Sequence, residues 1–210
     1  MSFIKFEELF DFKEKKGYDK KEIIATEERL KVEFPKVLKQ LYINYGKDEL
    51  LNSYNHFVPL NDLNFHLSDW LTIYLDSQGM CCWAINKKDF TQKECKVYCI
   101  WDEFQYEEDS SLENFLIKIA FQQSNAIFPF ILKTNQIEPH DDKIISASFG
   151  QLKSEIVLDH FNSKYYWSEY NELITIGGHN GKQQLCLRCK DKNQLYNFKK
   201  LFSKREWELK

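Results

Sequence analysis

The chain has 210 residues, 43% hydrophobic and 16% aromatic, with 29 basic and 32 acidic side chains for a formal net charge of −3. A chain of this size and content can bury a sizeable core, and seven glycines and four prolines leave little room for disordered linkers. The near-neutral balance counts against a protein built to bind nucleic acid directly, and no apolar run approaches the ~20 residues that span a bilayer.

In chain order, residues 3–15 have the spacing of an amphipathic helix, with Phe6, Leu9, Phe10 and Lys13 in its pattern. Acids inside that stretch and the lack of a small-residue cleavage signature argue against a signal peptide, so a cytoplasmic location is expected. Asp19 followed by Glu22 forms a capping pair ahead of Ile23, Ile24, Glu27 and Leu30, which predicts a helix over 19–31. Pro35 suits the first turn of the next helix, where its missing N–H is no loss, and the preceding Phe34 should be extended and point inward. Leu38, Leu41, Tyr42 and Tyr45 then recur at i, i+3, i+4 and i+7. Gly46 is expected to close this helix over 35–45 in a left-handed conformation.

Strands are expected near 55–60, 70–76, 81–86 and 96–101, followed by a helix over 110–125. Beyond the polar run 133–143, strands are expected near 144–149, 154–158, 164–167, 172–177 and 183–189. A helix over 191–203 follows, capped by Asp191 with Gln194 three residues on and showing Leu195, Phe198, Leu201 and Phe202 on one face. The glycine cluster at 177–181 reads as a hairpin turn, because a phosphate cradle would need a helix after it. Helices grouped first and then hairpin-like strands argue for an α+β chain whose antiparallel, mixed-order sheet carries helices on one face. The expected division is a domain at 1–132 and a C-terminal strand, hairpin and helix extension or subdomain at 144–210.

The elbow at residues 28–46, ERLKVEFPKVLKQLYINYG, resembles the start of the SUKH superfamily, which includes a fungal cell-wall-synthesis regulator and many bacterial immunity proteins. That family's pattern of roughly E-x-x-L-G-x-x-L-P, an amphipathic helix and a glycine is matched by Glu28, Leu30 one register off, Phe34, Pro35, Leu38, Leu41 and Gly46. Phe57, Val58, Pro59 and Leu60 are similar to its first strand, residues 79–85 with Trp83 to a central strand, Val97 and Tyr98 to the next, and 110–116 to its closing helix. Lys31 departs from the pattern, standing where the family usually has glycine or asparagine, and Lys47 and Asp48 follow Gly46 where a second glycine is common. The likeness spans about residues 19–122. It implies a cytoplasmic immunity protein that binds a cognate protein toxin and blocks it by occupancy, without chemistry or cofactors of its own. The alternative it implies is a regulatory or scaffold protein that binds an endogenous partner.

Charge is distributed unevenly: residues 101–142 hold 9 acids and 2 bases, whereas residues 143–210 hold 7 acids and 12 bases. The sharpest block interleaves carboxylates with aromatics: Trp101, Asp102, Glu103, Phe104, Gln105, Tyr106, Glu107, Glu108 and Asp109. One reading is a solvated loop whose acids favour the N-terminus of the following helix. The other is a docking surface, with Trp101 or Tyr106 as anchor and Asp102, Glu103, Glu107, Glu108 and Asp109 steering a basic partner such as a nuclease toxin. On the last helix, Lys199, Lys200, Lys204 and Arg205 read as a solvated face.

Six cysteines are present: Cys81, Cys82, Cys95, Cys99, Cys186 and Cys189. A single C-x-x-C pair on an expected strand falls short of a zinc signature, so free, buried thiols are expected and no metal site is assigned. The five histidines, His56, His66, His140, His160 and His179, are scattered without a nucleophile or HExxH motif, and no catalytic set emerges.

Overall fold

The computed structural model describes residues 14–209 apart from 50, 67–68, 92–94, 103, 110, 124–127, 149–151, 159–162, 169–171, 180–181 and 203. The helix expected over 3–15 thus lies almost wholly outside the described residues. The chain is a mixed α+β protein with antiparallel sheets, and it divides into two compact units, Met1–Gln123 and Ser124–Lys210.

In the first unit, helix α1 (Lys20–Leu30) opens on the expected capping box, with the Asp19 N–H donating to the Glu22 carboxylate at 2.7 Å. It ends at Lys31, which itself takes the left-handed conformation (φ 55) in place of a glycine. Helix α2 (Lys36–Tyr45) starts one residue after Pro35, which occupies the capping position with extended ψ. Phe34 is buried as expected, and so are Leu38, Leu41, Tyr42 and Tyr45. Gly46 is not left-handed: its φ is −61. Its role is space, since a Cβ there would come within 2.7–2.9 Å of the rings of Tyr18 and Tyr42. Those rings meet edge to face at 6.0 Å, and the Tyr42 hydroxyl donates to the Val58 carbonyl at 2.7 Å.

The sheet of this unit runs β1 (His56–Phe57), β3 (Trp70–Leu75), β4 (Cys82–Asn86), β5 (Val97–Trp101) and β6 (Phe104–Asp109), with β2 (Phe65–His66) also on β3 and every pairing antiparallel. Register places Tyr74, Trp83, Cys99 and Tyr106 in one cross-strand row. Helix α3 (Leu112–Gln123) lies over this face, where Phe115 contacts Tyr74 edge to face at 6.1 Å and Trp83 at 6.1 Å. At its end Gln123 is a hub: its amide donates to the Asn55 carbonyl and the Tyr74 hydroxyl and accepts from Ser53 and the Tyr54 N–H. On the far side of α1, the Arg29 guanidinium holds the segment after β1 through the Leu60 and Leu63 carbonyls and the Asn64 side chain.

The second unit is a full six-stranded antiparallel sheet, larger than the extension expected from sequence. Its order is β12 (Glu208–Leu209), β7 (Phe130–Thr134), β11 (Lys182–Cys189), β10 (Leu173–His179), β9 (Ser163–Ser168), β8 (Leu152–Leu158). The unit therefore begins before the polar run and not after it, because β7 is hydrogen-bonded between β11 and β12 and belongs to this sheet. The strand expected near 144–149 is instead helix α4 (Asp141–Ser148). Two acids in its first turn favour that start, and the Asp141 carboxylate is fixed by both Nη atoms of Arg205, at 2.6 and 2.8 Å. Helix α5 (Lys192–Leu201) carries the expected capping box, the Asp191 side chain accepting from the Asn193 N–H and Gln194 from the Asp191 N–H.

The core of this unit joins Leu132, Leu187, Ile174 and Tyr166, one row across four strands, to Ile145 of α4 and Leu195 and Phe198 of α5. Phe198, Phe202 and Trp207 form a ring cluster with centroids 5.0–6.1 Å apart. Cys186 and Cys189 are both buried, and three residues apart on one strand they fall on opposite faces of the sheet. No helix among the described residues is long and apolar enough to cross a membrane.

Candidate functional site

The acidic and aromatic block folds as a hairpin and not as a loop. Strands β5 and β6 pair from Val97 with Asp109 to Trp101 with Phe104. The two-residue connection begins with Asp102 at φ 52, a left-handed position that aspartate tolerates better than most residues. Among the described residues β6 pairs with β5 alone, so it is an edge of its sheet.

Alternation along the hairpin decides what faces outward. Trp101, Phe104 and Tyr106 share one side, and they remain 52%, 74% and 45% exposed. Phe104 is the most exposed of the three and was not singled out in the sequence, where it stood as an apolar residue inside a charged run. Scattered surface hydrophobes are ordinary, whereas three aromatics on one side of one hairpin form a patch.

The acids have separate fates. Asp102 is exposed in the turn, and Glu103 lies outside the described residues. Glu107 is paired with Lys96 at 2.7 Å, both side chains being solvent-accessible. Glu108 forms an ion pair with Lys118 of α3, and both side chains are nearly inaccessible. A β-bulge produces this: Glu107 faces Tyr98 and Asp109 faces Val97, so Glu108 is an extra residue without a cross-strand partner. Asp109 accepts a hydrogen bond from the Ser111 N–H at 3.1 Å, just before α3. Of the seven residues expected at a docking surface, Trp101, Asp102, Tyr106 and Glu107 are thus presented outward, while Glu108 serves the fold.

Lys118 was not anticipated, although a lysine between Ile117 and Ile119 in an otherwise apolar helix is a readable sign. Burial pulls its ammonium down to about 8, and Cys99 acts in the opposite direction. Its ion pair with Glu108 favours the charged form. Burial pushes the Cys81 thiol up to about 12, with Cys99 adding to the rise. The Tyr106 phenol is raised by burial first and by Cys99 opposite it on β5. The hairpin therefore has an exposed aromatic tip and a polar, thiol-containing base beneath α3.

Among the described residues, no group of three or more histidine, cysteine, aspartate or glutamate side chains is arranged to hold a metal ion. No family model matches the chain, and no curated protein or solved structure matches it significantly.

Proposed function

We propose that this chain is a protein-binding module without catalytic chemistry, an immunity-type protein that occludes a cognate toxin domain with the Val97–Asp109 hairpin. The observation that carries this reading is the exposure of Trp101, Phe104 and Tyr106 on one side of an edge hairpin. Interfaces draw most of their energy from a few aromatic anchors, and a two-residue turn holds these before contact, which lowers the ordering cost of binding. The charge around them is negative: Asp102 is exposed, and the Glu107–Lys96 pair at the surface is one that a partner's cation can displace at small cost. A basic partner suits that rim. The likeness of residues 28–46 to the start of the SUKH superfamily supports the same reading, with α1, α2 and the sheet as scaffold.

The direct test is a pull-down against the product of the adjacent gene, followed by binding kinetics. Trp101→Ala and Phe104→Ala are each expected to weaken binding by at least about 2 kcal/mol, close to thirtyfold. Wild-type affinity in the double variant would remove the hairpin from the interface. Rapid exchange of a captured endogenous protein, with no affinity for the toxin, would favour a regulatory module instead.

A further inference from the structure

Sheet register brings more than the hairpin to one end of the first unit. His56, Leu75, Cys82, Ile100 and Gln105 stand in a single cross-strand row over β1, β3, β4, β5 and β6. The connection entering β1, the β3–β4 turn and the β5–β6 turn therefore all emerge just beyond that row, at the same end of the sheet. They carry Tyr54, 64% exposed, and Met80, 57% exposed, beside Trp101 and Phe104. With Tyr106 these make five of the nine large hydrophobic side chains that are exposed among the described residues. The other four are dispersed: Ile24 on α1, Tyr196 and Leu201 on α5 and Leu209 on β12. Exposed hydrophobes gathered in one place mark an interaction surface, whereas scattered ones do not.

The backbone beneath these side chains is fixed by hydrogen bonds. Asn55 Oδ1 accepts from the Ser77 N–H at 3.0 Å and so ties the connection before β1 to the β3–β4 turn. Gln123, at the end of α3, accepts from the Tyr54 N–H at 3.2 Å. The Asp76 carboxylate accepts from the Gln78 and Met80 N–H groups at 3.1 and 3.3 Å, around Gly79 at φ 70. Loops held in place before contact lower the ordering cost of binding.

Charge and length select the occupant. Residues 52–55, 76–81 and 101–106 include Asp76 and Asp102 and contain no lysine, arginine or histidine. Four strand spacings separate β1 from β6, which at ~4.8 Å each gives a row roughly 19 Å long. An α-helix of about 13 residues spans that distance, and its pitch of about 5.4 Å sets nearly one turn against each strand end. Apolar residues along one face of such a helix meet the row, and flanking lysine or arginine meets the acids.

We infer that this end of the sheet, from Tyr54 through Met80 and Trp101 to Phe104, seats a basic amphipathic helix of the partner. The inference rests on the docking role of the hairpin proposed above and names the element of the partner that the surface grips. Tyr54 and Met80 then contact the partner as Trp101 and Phe104 do.

The test uses the full chain and a synthetic leucine and lysine peptide of about 14 residues, its leucines at helical i, i+3, i+4 and i+7 spacing. The peptide is expected to turn helical on binding, read by circular dichroism, and to bind less tightly as salt rises. Tyr54→Ala and Met80→Ala are each expected to weaken it about threefold or more, and the double variant about tenfold, with denaturation midpoints unchanged. A peptide of the same composition with its leucines scattered over all faces is expected to bind at least about tenfold more weakly, and a leucine and glutamate counterpart not measurably. Absence of binding by the leucine and lysine peptide, equal binding by the scattered one, or wild-type affinity in the double variant would each overturn the inference. Peptide binding as expected, with no affinity for the product of the adjacent gene, would overturn the toxin reading and support the helix seat. Loss of gene-product binding in Trp101→Ala, with none lost in the Tyr54→Ala and Met80→Ala double variant, would confine the interface to the hairpin and overturn the seat.

Discussion

The two units are both built from antiparallel hairpins and helices, yet they place their aromatic side chains oppositely. In the second, Phe198 of α5 packs ring to ring with Phe202 and Trp207 in the core that also holds Tyr166. In the first, Tyr74, Trp83 and Phe115 do the same, but the edge hairpin leaves Trp101, Phe104 and Tyr106 outside. Apolar surface left in water forgoes roughly 25 cal/mol per Å² of stabilisation. A hairpin that keeps three aromatics there does so against its own stability, and the docking role proposed above would account for that contrast.

The contrast can be broken most severely from the buried side. Phe198→Ala should destabilise by about 3–5 kcal/mol in chemical denaturation, as expected for a fully enclosed ring with little room to collapse. Asp141→Ala removes the bidentate partner of Arg205, whose side chain is only 6% accessible, and leaves it Glu138 at 3.8 Å; the change should cost about 3 kcal/mol in the same measurement. At the exposed pole, Phe104→Ala should change stability by less than about 0.5 kcal/mol while removing affinity, so folding and binding assays separate the two regions. A loss of stability comparable to Phe198→Ala would mean that the hairpin tip belongs to the core.

A smaller effect follows from the thiols. Cys81 and Cys95 are pushed up to about 12, mainly by burial, against an ordinary value of 9.0. The folded chain therefore holds protons that the unfolded chain releases as pH rises above 9, and stability should fall between pH 9 and 12. Lys118, lowered by burial, works in the opposite direction over part of that range. Denaturation midpoints at successive pH values in Cys95→Ala and wild type should converge at the alkaline end. The smallest change is expected for Lys96→Ala, a surface pair worth about 0–1 kcal/mol, read as a slight shift in midpoint and as salt-sensitive binding.

Local signals made part of this architecture legible. Asp19 with Glu22 and Asp191 with Gln194 gave both helix starts, and the spacing from Leu38 to Tyr45 gave a buried stripe. The misses share a cause in distant partners. Residues 144–148, IISAS, read as a strand on the β-branched pair Ile144 and Ile145, yet Ile145 fills a helical place in the core and Asp141 is fixed by Arg205, 64 residues away. Phe130–Thr134 is short and finds both of its neighbours, β11 and β12, far along the chain. Phe104–Asp109 alternates as a strand should, but its carboxylates read as loop until Lys96 and Lys118 are seen beside them. Gly46 was assigned to a backbone twist when its requirement is clearance for two tyrosine rings.

The bulge at Glu108 divides its strand into two independent sentences. Residues 104–107 keep one phase of alternation, and Asp109 resumes in the other, opposite Val97. Under the docking role proposed above, substitutions toward the tip would change what is recognised without shifting the carboxylate seated against Lys118, so specificity could diversify over an unmoving foundation. Deleting a single residue from 104–107 would force the bulge to be absorbed and bring those two halves into conflict.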